Sequence, residues 1–124
     1  MALKKKKVKI ASEEGGFSSK LKNVRILLNT NRIKEAIAYL YILYSKIAAK
    51  ASSVEKKPSQ SMREYAMILV RTKGHNPITA NAFVQVIEKS IYGGQQPSME
   101  VFEEALDLFQ KIVLEITGRQ VPNF

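Results

Sequence analysis

The chain has 124 residues, 45% of them hydrophobic and 25% charged, with no cysteine, one histidine and a formal net charge of +9. This length suits one domain with one core, burying roughly two-thirds of its unfolded surface. Disulfides, thiolate metal sites and multi-histidine metal sites are excluded, and no run approaches the ~20 apolar residues of a membrane-spanning helix.

The charge is unevenly placed. Residues 1–57 carry fourteen Lys/Arg against four Asp/Glu, and residues 58–124 carry six against seven, so the positive excess is entirely N-terminal. Lys4, Lys5, Lys6, Lys7 and Lys9 form a run that repels itself, and Gly15-Gly16 makes a joint behind it. Residues 1–16 are therefore expected to be a disordered basic arm. Such an arm attracts polyanions, and Lys20, Lys22 and Arg25 extend its charge into the next segment. These eight residues are the candidate polyanion-binding set. No apolar signal segment follows the basic start, so a cytoplasmic protein, peripheral to a membrane where it meets one, is the expectation.

From residue 17 the pattern turns helical. Leu21, Val24 and Leu28 recur at helical spacing and give a short first helix. Asn29, Thr30 and Asn31 break it, and one of them is expected to cap the next helix. There Ile33, Ile37, Leu40, Tyr44, Ile47 and Ala51 form a continuous stripe, with Ala36, Ala48 and Ala49 raising helix propensity. Ser52 to Ser61 is polar, contains Pro58 and reads as a linker within one domain. Ser61 and Glu64 fit a capping box for a third helix, whose buried face is Met62, Tyr65, Ala66, Leu69 and Val70 and which stops at Gly74.

Asn76 or Thr79 caps a fourth helix with Ala82, Phe83, Val86, Ile87 and Ile91 facing inward, ended by Gly93-Gly94. Pro97-Ser98 opens a fifth, with Glu100, Glu103 and Glu104 in its first turns, where the helix dipole favours acids. Val101, Phe102, Ala105, Phe109, Ile112, Val113 and Ile116 are its stripe, and Gly118 stops it. No strand alternation competes. The expectation is an all-α bundle over 17–118, four long helices plus a short first one, with 119–124 as a flexible tail.

No cluster of these residues amounts to a catalytic site. His75 stands in a Gly-His-Asn-Pro turn without a cysteine or a serine in a nucleophile-elbow context, and reads as a turn histidine facing water. Gly93-Gly94 lacks the spacing of a phosphate loop. Glu100, Glu103, Glu104 and Asp107 lack the E-x-x-H element of carboxylate metal sites and read as a solvated face. Tyr39, Tyr41 and Tyr44, beside Arg32, Lys46 and Lys50, suit either base stacking or the border of a core, and the core is favoured. Helices three and four meet as in a helix-turn-helix, whose reading face would offer Asn81, Gln85 and Lys89, with a single cation.

Three segments together resemble a known family. They are Arg25-Ile-Leu-Leu with Glu35-Ala-Ile-Ala-Tyr-Leu-Tyr, then Ser59-Gln-Ser-Met-Arg-Glu-Tyr-Ala, then Ile91-Tyr-Gly-Gly followed by Pro97-Ser-Met-Glu. In this order and spacing they are similar to a helical domain of archaeal and bacterial membrane proteins, found at the cytosolic C-terminus and often beside a transglutaminase-like domain. The similarity spans roughly residues 20–117. The chain departs from it at Met62, where that family often has proline, and in starting with a basic arm rather than a membrane span. The resemblance implies a helical module with no catalytic residues to carry over. The functional expectation is thus a non-enzymatic protein-interaction or scaffold module with no cofactor, acting on a protein partner at the cytosolic membrane face. The alternative is a nucleic-acid-binding protein that uses its basic N-terminal half.

Overall fold

The structure is a computed structural model and describes residues 19–120. The basic arm, and the end of the tail at 121–124, lie outside the described residues. Five helices and no strand make up the described part: α1 (19–29), α2 (Ile33–Ser52), α3 (Met62–Lys73), α4 (Pro77–Tyr92) and α5 (Met99–Thr117). The expected all-α bundle is the observed fold. Helix α2 packs on α4 and α5, and α4 packs also on α5 and α3. Helices α2, α4 and α5 therefore enclose the centre, with α3 against α4. Leu21 and Val24 bury α1 in the same core.

The core is built around aromatic rings. Tyr44 and Phe83 have centroids 5.4 Å apart, Phe83 and Phe109 6.3 Å, and Tyr44 and Tyr65 6.4 Å in an edge-to-face pair. Such pairs contribute ~0.5–1.5 kcal/mol beyond the area they bury. Ile37, Leu40, Leu43, Leu69, Ile87 and Phe102 complete the sealed interior. Small side chains set the helix spacing, because Ala36, Ala48, Ala66 and Ala105 are wholly buried. Ala36 and Ala48, read from the sequence only as helix formers, are core residues, whereas Ala51 at the end of the expected stripe is exposed. Helix α4 also departs from its expected face. Ala80, Val84 and Ser90 are buried, and Ala82, Val86 and Ile91 are only half-buried. A helix that touches α2, α3 and α5 together buries a broader arc than a single stripe describes.

The caps are mostly those that the sequence implies. The Ser61 hydroxyl accepts from the Glu64 amide at 3.1 Å, and the Glu64 carboxylate accepts from the Ser61 amide at 3.0 Å. The Ser61 amide first, and then the Ser61 side chain, hold the Glu64 carboxyl below its usual pKa, as a bonded carboxylate should be. Asn76 caps α4 through its side-chain oxygen, Ser98 caps α5, and Gly74 and Gly118 end α3 and α5 with φ of 70° and 71°.

The junction of α1 and α2 is different from expectation. Helix α2 has Arg32 at its N-cap with no side-chain cap. Asn31 instead ends α1, in the left-handed region at φ 63°. The Asn31 amide donates to the Leu28 carbonyl and the Arg32 amide to the Leu27 carbonyl, at 3.0 and 2.7 Å. That pairing is a Schellman motif, with asparagine where glycine is usual. The Thr30 hydroxyl is also spent on α1, donating to the Ile26 carbonyl at 2.9 Å. The polar triplet therefore closes the helix before it rather than opening the helix after it.

The linker 53–61 is anchored. Val54 packs against the core, and its carbonyl accepts from the Tyr65 hydroxyl at 2.7 Å.

Candidate functional site

Of the candidate polyanion-binding residues, Lys4, Lys5, Lys6, Lys7 and Lys9 lie outside the described residues. Lys20 is half-buried, and Lys22 and Arg25 are exposed on α1. They belong to a wider positive surface. Helices α1 and α2 and their junction together carry Lys20, Lys22, Arg25, Arg32, Lys34, Lys46 and Lys50 against the single acid Glu35, which pairs with Arg32 at 3.8 Å. The Asn23 side-chain amide donates to the Tyr39 hydroxyl at 3.3 Å, which seats one face of α1 beside one face of α2. Ile26 lies one turn beyond Asn23 and Ile42 one turn beyond Tyr39, so both share that joined face. They are 57% and 45% exposed, large apolar side chains left in water among cations.

The other sequence candidates resolve as follows. Tyr41 and Tyr44 are core residues, 6% and 1% exposed, and their burial raises both phenol pKa values well above the usual range. Their faces are covered by Tyr65 and Phe83 and cannot stack bases. On α4, Asn81 and Glu88 are both held by the Arg63 guanidinium, with Glu88 at 2.9 Å. Gln85 and Lys89 are exposed. The helix-turn-helix reading face thus keeps only two free polar side chains. Glu100, Glu103, Glu104 and Asp107 are all exposed, and Asp107 pairs with Lys111 at 3.2 Å. No group of acidic or histidine residues among those described is spaced to hold a metal ion.

His75 departs from its expected place in open water. It is half-buried and lines an open cleft of about 820 Å³ at one end of the bundle. The C-terminal ends of α2, α3 and α5 and the first turn of α4 converge there. Gly74 in the left-handed conformation turns the chain so that His75 faces the cleft rather than extending α3. Burial pushes the imidazole pKa below its ordinary value, opposed in part by the Glu115 carboxylate. The ring is therefore neutral at pH 7. Lys73 and Glu115 lie on the same cleft, and the Thr79 hydroxyl donates to Glu115 Oε1 at 3.3 Å.

Ala80, Ile112 and Ile116 supply apolar walls. Tyr44 lies at the floor, and its hydroxyl is the one buried side-chain polar atom among the described residues without a hydrogen-bond partner. Of these residues the sequence singles out His75 and Tyr44 separately, and gives no sign that Lys73 and Glu115 join them. The available signal was a tyrosine in the centre of the α2 stripe, where leucine or phenylalanine would have carried no polar atom.

No protein-family model, curated protein or solved structure matches this chain. Among the described residues, no helix is long and apolar enough to cross a membrane.

Proposed function

We propose that the protein is a non-enzymatic helical interaction module that docks on a protein partner at the cytosolic face of a membrane. The observation that carries this reading is the joined α1–α2 face, where Ile26 and Ile42 stand exposed, each one helical turn from an exposed lysine, Lys22 and Lys46. Desolvating those two side chains is favourable for any partner that covers them. The surrounding charge selects an acidic partner and steers its approach. The resemblance to a cytosolic helical domain of membrane proteins implies the same kind of role.

A photoreactive residue placed at Ile42 in the source cells, with a control at exposed Lys111, tests the reading directly. Protein adducts at position 42 and not at 111 are the expected outcome. Turnover of a small substrate, abolished by one substitution in the cleft, would overturn the non-enzymatic part.

The charge partition also favours a second reading, nucleic-acid binding through the basic half. With Tyr41 and Tyr44 buried, that binding would rest on phosphate contacts, so log affinity against log salt should fall by nearly one unit per contact. Nucleic-acid adducts at position 42, together with such a slope, would replace the first reading by the second.

A further inference from the structure

A hydroxyl buried without a partner is destabilising relative to one that is paired, and phenylalanine would fill nearly the same space without that cost. Tyr44 is such a group, and it lies on the floor of the cleft between α2, α4 and α5. A phenol is protonated throughout the physiological range, so this hydroxyl has a proton to donate. Two further donors stand on the same cleft, the Lys73 ammonium and the ring N–H of neutral His75, whose second nitrogen is an acceptor. The Glu115 carboxylate, an acceptor on the same cleft, takes the Thr79 hydroxyl on one oxygen.

We infer that this cleft is a binding site for a small organic acid with an apolar body. The ligand's carboxylate sits at the mouth on Lys73 and His75, its body lies against Ala80, Ile112 and Ile116, and an oxygen acceptor at its inner end takes the Tyr44 hydroxyl. Tyr44 and Lys73 both line the cleft, Tyr44 buried and Lys73 exposed, so the inner acceptor sits at the opposite end of the ligand from its carboxylate. The hydroxyl itself exposes essentially no surface, so the inner end of the ligand enters with a side-chain movement at the floor. Glu115 opposes an anion at the mouth, which makes Lys73 the residue that decides whether acids bind. The site is separate from the charged α1–α2 face and stands or falls independently of it.

The test is a titration of the labelled full chain, followed by amide NMR shifts, with 8-oxononanoate and 6-oxoheptanoate against nonanoate and heptanoate. The keto acids present the inner acceptor and the plain acids do not. An 8-oxononanoate complex with shifts confined to the cleft is expected, bound about tenfold more tightly than the apolar mate predicts once Tyr44→Phe is used as the reference. In Tyr44→Phe the advantage of the keto acid over its mate should shrink by that same factor. Lys73→Ala should weaken both acids, and Glu115→Gln should strengthen both. Circular dichroism of each variant checks that it is folded. Absence of cleft shifts with every acid up to about 10 mM overturns the proposal, because no useful site binds that weakly. An unchanged keto preference in folded Tyr44→Phe also overturns it.

Discussion

Replacing either of two neighbouring tyrosines by phenylalanine separates a satisfied hydroxyl from an unsatisfied one in the same core. Tyr65 donates to the Val54 carbonyl at 2.7 Å, and that carbonyl has otherwise only a weak contact from Ser52 at 3.5 Å. Tyr65→Phe removes the bond and leaves the carbonyl short of a donor, a loss of about 1–2 kcal/mol. Tyr44 has no such partner. Tyr44→Phe relieves a desolvation cost of about 1–3 kcal/mol, less a few tenths for the small void left by one oxygen, at ~24 cal/mol per Å³. The two variants should therefore differ by about 2–5 kcal/mol, with Tyr44→Phe above the parent and Tyr65→Phe below it. For a domain of this size 1 kcal/mol moves the melting temperature by roughly 4 °C, so thermal and urea unfolding followed by circular dichroism resolve the gap easily. A Tyr44→Phe variant less stable than the parent by 1 kcal/mol or more would refute the reasoning. It would mean that the hydroxyl already has a strong partner in solution.

Other outcomes follow from the local geometry. Ser61→Ala should cost about 1 kcal/mol in the same melts, because the Glu64 amide loses its acceptor, and Ser59→Ala much less. Asn31→Gly should hold or slightly raise stability, since the left-handed C-terminal position of α1 suits glycine, while Asn31→Val should lower it by at least 1 kcal/mol. Gly93→Ala should lower the melting temperature although its φ is −78°, because the added Cβ meets the Lys89 carbonyl oxygen. His75 has a folded pKa below its unfolded value, so the unfolded chain takes up the proton first and stability should fall as pH drops from about 6.5 towards the lowered value. His75→Gln should flatten that slope in urea midpoints measured from pH 7.5 to 5; an unchanged slope would assign it to other groups.

What the sequence made legible is what local chemistry decides. Ser61 with Glu64, Ser98, Gly74 and Gly118 mark helix ends through bonds made within a few residues, and each was read in place. The α5 stripe was equally clear, with Phe102, Ala105, Phe109, Ile112 and Val113 all buried. Errors arose where one signal serves two elements or where packing overrides period. The triplet Asn29-Thr30-Asn31 has the residue types of an N-cap and of an αL C-terminus alike, and the Leu27 and Leu28 carbonyls took it. The spacing on α4 marks one stripe, but three neighbours widen its buried arc to include Ala80 and Val84.

The cleft could not be read in the same way, because its members come from four helix ends and lie far apart in the chain. Tyr44, Lys73, His75 and Glu115 belong to no common motif, and each alone has an ordinary explanation: a core ring, a last-turn cation, a turn residue, a solvated acid. Only their convergence makes the unpaired phenol conspicuous. A purely structural core gains nothing from that hydroxyl, since Phe109 and Phe83 show that plain rings pack well beside it. A binding floor gains a donor that water does not compete for in the empty protein. The two roles have opposite signs under one substitution. Tyr44→Phe should stabilise the free protein and impair recognition of the keto acid, a trade between stability and function that a packing residue does not show. If the substitution raises stability and leaves every ligand titration untouched, the hydroxyl is a tolerated defect of the core and the cleft has no use for it.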